Sequence, residues 1–169
     1  MYKGLEPQSQ TVITFNGPFD YDDQVQRSAI RALAIAVENQ LLEEVREELG
    51  GTYSIGVGPG FSWRPEETYQ MTISFGSDPE RADELVERIF EGLQSFKEFG
   101  PTEEQVSDAR ETLLRQFETD FQENRTWLSQ LVNDYQRGAD PGASVETFES
   151  SVEALTVGLI QEAARRYFD

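Results

Sequence analysis

The chain contains no histidine and no cysteine. Without histidine it can have no imidazole base, no Ser-His-Asp triad and no histidine-ligated metal. Without cysteine it can have no disulfide, no thiol nucleophile and no cysteine-ligated zinc or iron–sulfur site. Any chemistry that this chain performs alone must therefore come from carboxylates, Lys, Arg, Tyr, Ser or Thr.

Positive charge is scarce in the sequence. Lys and Arg together number 14 against 32 Asp and Glu, which gives a net charge of −18, and Lys3 and Lys97 are the only lysines. A nucleic-acid surface needs clustered cations, so this composition excludes nucleic acid as a partner. No apolar run approaches the roughly 18 residues of a membrane-spanning helix, which excludes a membrane span.

The length predicts a single domain over residues 1–169, because domains hold about 150 residues on average. Hydrophobic residues make up 37% of the chain, which is enough for one core. Short β-branched or alternating runs predict three strands, at Thr11–Phe15, Thr52–Val57 and Thr68–Phe75.

Helical periodicity and capping residues predict the remaining elements. Apolar residues recur every four positions from Val25 to Leu49, after capping candidates at Asp20, Asp22 and Asp23. Further helices are predicted from Ser77–Glu80 to about Gly100, from Thr102 to Phe121, and at Asn124–Leu131, Ser144–Ser151 and Thr156–Phe168. This order predicts an α+β fold, with a largely antiparallel sheet and helices packed on one face. We expect the chain to be part of a longer polypeptide, because a further strand after Asp169 would close the sheet naturally.

A Gly-x-Gly-x-Gly run at Gly56, Gly58 and Gly60 superficially resembles a phosphate-binding loop. No helix N-terminus follows it to receive an anion, so a bent or bulged hairpin is the favoured interpretation. Gly58–Pro59–Gly60 is expected to break the second strand, with Phe61–Trp63 either resuming it or forming part of a longer connection.

Arg46 and Tyr53 are the residues that best fit a functional site. Both have an ordinary structural explanation, because a cation near a helix C-terminus is favourable and tyrosine is common in strands. The functional interpretation is that both project from one helix-to-strand corner. There a guanidinium and a phenol could together donate hydrogen bonds to a carbonyl or an oxyanion.

The run from Leu42 to Ile55, LEEVREELGGTYSI, resembles a signature of the pitrilysin/insulin-degrading family of zinc metallopeptidases, in which Arg and Tyr stand seven residues apart. Supporting similarities are Asn124–Leu128, which resembles the N-x-x-W-L helix of that family, the loop Gly138–Pro141 and the segment Val152–Thr156. The resemblance extends over nearly the whole chain.

This resemblance implies a processing-peptidase-like metallohydrolase domain. Members of the family contain four homologous α+β domains in two halves, which close around an unfolded peptide. Their zinc site, H-x-x-E-H with a distal Glu, belongs to the N-terminal domain, and a chain without histidine cannot form it. The resemblance thus implies the fourth, non-catalytic C-terminal domain, cut before its final strand, with no cofactor of its own and with zinc in the N-terminal half.

Arg46 and Tyr53 are, by this resemblance, substrate-binding residues, and no residue of this chain is catalytic by itself or binds metal. They would orient a peptide substrate and stabilise the oxyanion at zinc, in a catalytic half supplied by the same polypeptide or by a partner subunit. Two alternatives stay open: a structural homologue of the same fold without catalysis, and a free-standing α+β binding module. The resemblance slightly favours a periplasmic over a cytoplasmic bacterial protein.

An acidic surface poor in lysine is typical of a protein dissolved in concentrated salt, where salt screens the repulsion between like charges. We therefore predict that the midpoint of thermal unfolding rises between low and molar NaCl. Differential scanning calorimetry at both salt concentrations measures this midpoint, and equal midpoints would contradict the hypothesis of salt adaptation.

Overall fold

The computed structural model describes residues 9–49, 54–140 and 142–169, with the backbone alone described at residues 45–49. The strands are β1 (Ser9–Pro18), β2 (Ile55–Ser62) and β3 (Thr68–Ser77). The helices are α1 (Gln24–Leu49), α2 (Ala82–Phe99), α3 (Glu103–Asp120), α4 (Asn124–Arg137), α5 (Ala143–Glu146), α6 (Phe148–Glu153) and α7 (Val157–Tyr167). A short 3-10 turn at Pro79–Arg81 leads into α2.

The three described strands form one antiparallel sheet in the order β1-β3-β2, so β3 is central. Its buried face carries Met71, Ile73 and Phe75, whereas Gln70 of β3 and Val12 of β1 are exposed on the other face. Alternation of this kind arises because successive side chains of a strand point to opposite faces. The predicted α+β fold, with helices on one face of an antiparallel sheet, is confirmed.

Helix α1 lies at the centre of the helical layer, where it packs against β2, α3, α6 and α7. Asp23 caps its start, because the Oδ1 atom of Asp23 accepts a hydrogen bond from the Gln26 backbone N–H at 2.9 Å. The buried stripe begins at Ala29 rather than at Val25, which is 36% exposed. Leu33, Val37 and Leu41 are also buried in the core, as their four-residue spacing predicts.

The prediction that Gly58–Pro59–Gly60 breaks the second strand is wrong. Strand β2 runs through these residues in unbroken register with β3, with Gly58 opposite Thr72 and Pro59 opposite Met71. The reason is that β2 pairs only with β3 in the described sheet, and an edge strand tolerates a proline because one of its sides needs no ladder hydrogen bonds. The bulge expected for the glycine run is likewise absent from this register.

The helix predicted over Ser144–Ser151 is in fact two short helices, α5 and α6, which meet at Thr147. The Thr147 hydroxyl donates a hydrogen bond to the Ala143 carbonyl at 2.8 Å, and the Ser150 hydroxyl donates one to the Thr147 carbonyl at 2.9 Å. Hydroxyls that bond locally to the backbone compete with the helical ladder, which explains the interruption. The capping box predicted at Thr102 and Gln105 is confirmed at the start of α3.

Truncation of Leu33 should test how strongly the central helix depends on its buried face. Leu33 is fully buried, so L33A is expected to lower the free energy of unfolding by about 3–5 kcal/mol through lost burial and a residual cavity. The control L128A removes the same atoms from a side chain that is 64% exposed in α4. It should change the free energy of unfolding by no more than about 0.5 kcal/mol. Urea denaturation measures both variants, and equal losses would contradict this assignment of the core.

Candidate functional site

The corner between α1 and β2 is where the sequence predicts the Arg46–Tyr53 pair. Arg46 lies in the last turn of α1, which ends at Leu49, and residues 50–54 connect this helix to the start of β2 at Ile55. The side chain of Arg46 and the whole of Tyr53 lie outside the described residues, so their proximity stays a prediction. The structure places the corner at one edge of the sheet, because β2 is an outer strand.

A side-chain contact fixes the two elements that form this corner. The Oε2 atom of Glu38 on α1 accepts a hydrogen bond from the Val57 backbone N–H of β2 at 2.8 Å. A hydrogen bond to a carboxylate is stronger than one between neutral groups, which favours a defined position of the helix on the strand. Helix α2 also approaches α1 closely, since a Cβ added at Gly92 would lie 3.0 Å from the Leu41 Cδ2 atom. The backbone on both sides of the corner is therefore held by contacts of described residues.

The described residues offer no group that fits zinc. The chain has neither histidine nor cysteine. Within the described ranges, no three residues from His, Cys, Asp and Glu form a group that could hold a metal ion. No helix in those ranges is long and apolar enough to cross a membrane.

A second candidate site, which the sequence analysis missed, lies at the other end of α1. A cavity of about 320 Å³ opens between α1, α3 and the helices that follow α3. Arg27 and Arg31 line it from α1, one helical turn apart. Its other lining residues are mainly polar or aromatic: Gln24, Leu113, Gln116, Phe117, Asp120, Phe121, Thr126, Gln130, Ser144, Val145 and Phe148.

Both arginines of this cavity are withdrawn from solvent, Arg27 almost fully and Arg31 in part. Arg27 is only 9% exposed, and its Nε atom is buried without a hydrogen-bond partner in the part of the chain that the structure describes. Among the described residues, neither Arg27 nor Arg31 forms an ion pair, whereas the neighbouring Arg137 is paired with Asp22. Burial lowers the pKa of both arginines, and for Arg31 the positive charge of Arg27 lowers the pKa further.

Aromatic rings offset part of the free-energy cost of removing these two cations from water. The Arg27 guanidinium carbon lies 4.6 Å from the ring centroid of Tyr21 and 5.6 Å from that of Phe61, and Arg31 lies 5.8 Å from the same Phe61 ring. Cation–π contacts stabilise a cation without consuming its hydrogen-bond donors. These contacts thus leave the hydrogen-bond donors of the two guanidiniums unused, and both side chains line the cavity.

The signal for this cavity in the sequence was the spacing of four between Arg27 and Arg31. A pair with that spacing usually lies on a solvated helix face. Here the face is covered by residues much later in the chain, such as Gln130 and Ser144, whose side chains are joined by a 2.7 Å hydrogen bond. Long-range packing of that kind leaves no mark in the local sequence.

Comparison with known proteins places the corner within a recognised family. Residues 2–113 match the family described as the peptidase M16 inactive domain. The match includes Arg46 and Tyr53. A protein of Arabidopsis thaliana named zinc protease PQQL-like is 27% identical over an alignment of 137 positions, and the alignment covers 76% of this chain and 14% of that protein. The chain thus spans about one seventh of the length of this curated relative.

Two solved structures share the fold. The periplasmic protease PqqL from Escherichia coli superposes with a TM-score of 0.75 at 22% identity, over 96% of this chain and 18% of that chain. A peptidase M16 inactive domain from Pseudomonas fluorescens superposes with a TM-score of 0.75 at 20% identity, over 95% of this chain and 38% of that one. The match of the family model to two thirds of the sequence confirms the resemblance inferred from the Arg46–Tyr53 run: the chain belongs to the peptidase M16 inactive-domain family, the non-catalytic domain of zinc-protease-like proteins.

Proposed function

We propose that this chain is the substrate-binding, non-catalytic C-terminal domain of a zinc-dependent endopeptidase. The observation that carries the proposal is the match to the peptidase M16 inactive domain over a region that contains both Arg46 and Tyr53. The absence of histidine supports a role that depends on a catalytic zinc site located elsewhere. Residues 1–169 then form one domain, the fourth of the parent protease.

Arg46 and Tyr53 would act on the peptide bond that is cleaved. When water attacks the scissile carbonyl, negative charge develops on the carbonyl oxygen, and preorganised N–H and O–H donors stabilise that charge. A guanidinium supplies N–H donors and a phenol supplies an O–H donor, and these are the groups that Arg46 and Tyr53 would offer. Zinc, held in the N-terminal half, supplies the activation of the attacking water.

Support for rigid positioning of the two donors comes from the structure around the corner. Arg46 belongs to a 26-residue helix whose central part is buried, and that helix is tied to β2 through Glu38 and Val57. Oxyanion donors act most effectively when their scaffold does not reorganise during the reaction. A long packed helix that ends at a sheet edge satisfies this requirement.

Helix α4 supports the proposal that a further part of the protease packs against this domain. Trp127, Leu128, Leu131 and Val132 are each at least 40% exposed, and the one buried residue of α4 is Asp134. Exposed apolar groups grouped on one helix are typical of an interaction surface. The proposed partner is the catalytic half, in the same polypeptide or in a separate subunit, together with the peptide substrate.

A periplasmic location is proposed as well. The Escherichia coli protein with the same fold is described as a periplasmic protease. The chain contains no cysteine, which is compatible with an oxidising compartment but does not require one.

Substitution of the two donors tests the proposed function in the complete protease. Loss of one oxyanion donor typically lowers kcat by about 10²–10³-fold, so R46A and Y53F should each reduce peptide turnover to that extent. Zinc content should not change, because neither residue binds metal. Steady-state kinetics on a fluorogenic peptide and elemental analysis measure the two quantities.

R115A is the matched control for R46A, since Arg115 is 72% exposed and is paired with Glu111 on its own helix. It should turn over peptide like the unaltered enzyme. Normal kcat in both R46A and Y53F would reject the proposed roles and favour a structural homologue without a part in catalysis. A protease that cleaves peptides equally well without this domain would reject the proposal altogether.

A further inference from the structure

We propose that the cavity lined by Arg27 and Arg31 is a binding site for an organic carboxylate, separate from the Arg46–Tyr53 corner. Arg27 provides the central observation, since it is 91% buried, lines the cavity and has an Nε–H group with no acceptor in the described ranges. Buried charges in proteins are normally paired or coordinated. Among the described residues neither guanidinium has an ion-pair partner, so both offer donors to which an anion in the cavity would bind.

The charged groups around the cavity define what kind of anion fits. Asp120 lines the same cavity and favours the charged form of Arg31, while Asp134 and Asp22 favour that of Arg27. Asp22 is already paired with Arg137, and Asp134 accepts hydrogen bonds from the Gln130 side chain and the Gly142 backbone. A carboxylate carries one negative charge and would meet less repulsion from Asp120 than a phosphate dianion would.

The shape and lining of the cavity favour an organic acid over a small inorganic anion. Phe117 and Phe148 stack with their centroids 4.3 Å apart, and Phe121 lies 4.5 Å from Phe117, so the wall beside the arginines is aromatic. A volume of about 320 Å³ lies within the common range of small-molecule pockets and holds an acid with an apolar body. The carboxylate oxygens would accept hydrogen bonds from N–H groups of both arginines, and the carbon skeleton of the acid would contact the rings.

The position of the cavity makes it independent of the corner. Arg31 and Arg46 are separated by 15 residues of one helix, which is about 22 Å at 1.5 Å per residue. Part of the lining, from Gln116 onwards, also follows the region that matches the peptidase M16 inactive domain. A failure of the carboxylate site would thus leave the proposed role of Arg46 and Tyr53 untouched, and the reverse also holds.

Titration of the 169-residue chain with 3-phenylpropanoate tests the site. Calorimetry and the Arg Nε–Hε signals in NMR spectra monitor the binding. We expect saturable binding that shifts the signals of Arg27 and Arg31. The neutral isostere 3-phenylpropanamide should bind at least about tenfold more weakly, because charge-assisted hydrogen bonds are lost. This comparison needs no variant and holds even where a substitution prevents folding.

Variants with matched charge changes identify the responsible side chains. R27Q and R31Q should each weaken binding of the acid by about tenfold or more. R115Q makes the same change at an exposed position of α3 and should alter the affinity by less than about twofold. D120N should tighten binding, because it removes a negative charge from the cavity wall.

Two further ligands distinguish the sources of the carboxylate. N-acetyl-Gly-Phe with a free C-terminus is compared with its C-terminal amide. Tighter binding of the free acid indicates a site for peptide C-termini. If 3-phenylpropanoate binds and neither peptide does, the site takes free organic acids. Either result supports a carboxylate site. Tighter binding of inorganic phosphate than of any carboxylate, equal binding of acid and amide, or unchanged affinity in R27Q and R31Q would overturn the proposal.

Discussion

Burial of α1 between the sheet and the later helices is the packing on which the rest of the structure depends. Its central residues, such as Ala29, Leu33 and Val37, have almost no exposure, and the helix contacts β2, α3, α6 and α7. Removal of that apolar surface from water stabilises the fold by about 25 cal/mol per Å². Because a helix is stiff, the same burial also determines where residues at its two ends can lie.

Both candidate sites follow from this arrangement. Arg46 stands in the last turn of α1, beside the connection to the edge strand β2, and Arg27 and Arg31 stand near its start. The two ends differ in their surroundings. The first end lies beneath α3 and the segments after it, which line a cavity with it, whereas the last turn leads to an edge of the sheet.

Charge is distributed unevenly between the surface and the interior of this protein. A chain with a net charge of −18 carries most of its carboxylates on exposed helix faces, yet it buries Arg27 and half-buries Arg31 without ion-pair partners among the described residues. Desolvation of an unpaired cation costs free energy that surface carboxylates do not recover, since water screens them. Cation–π contacts with Tyr21 and Phe61 reduce this cost, and a bound carboxylate would reduce it further.

The sequence by itself determined the α+β class, the central helix, the capping box at Thr102 and the family, because these rest on local periodicity, capping and a contiguous run of residues. It misjudged Gly58–Pro59–Gly60, since tolerance of proline depends on whether a strand lies at a sheet edge, which local pattern does not reveal. Only the tertiary structure decided that Arg27 and Arg31 are covered rather than solvated. That outcome depends on α3 to α6, whose residues follow Arg31 by more than seventy positions and are brought to it by long-range packing.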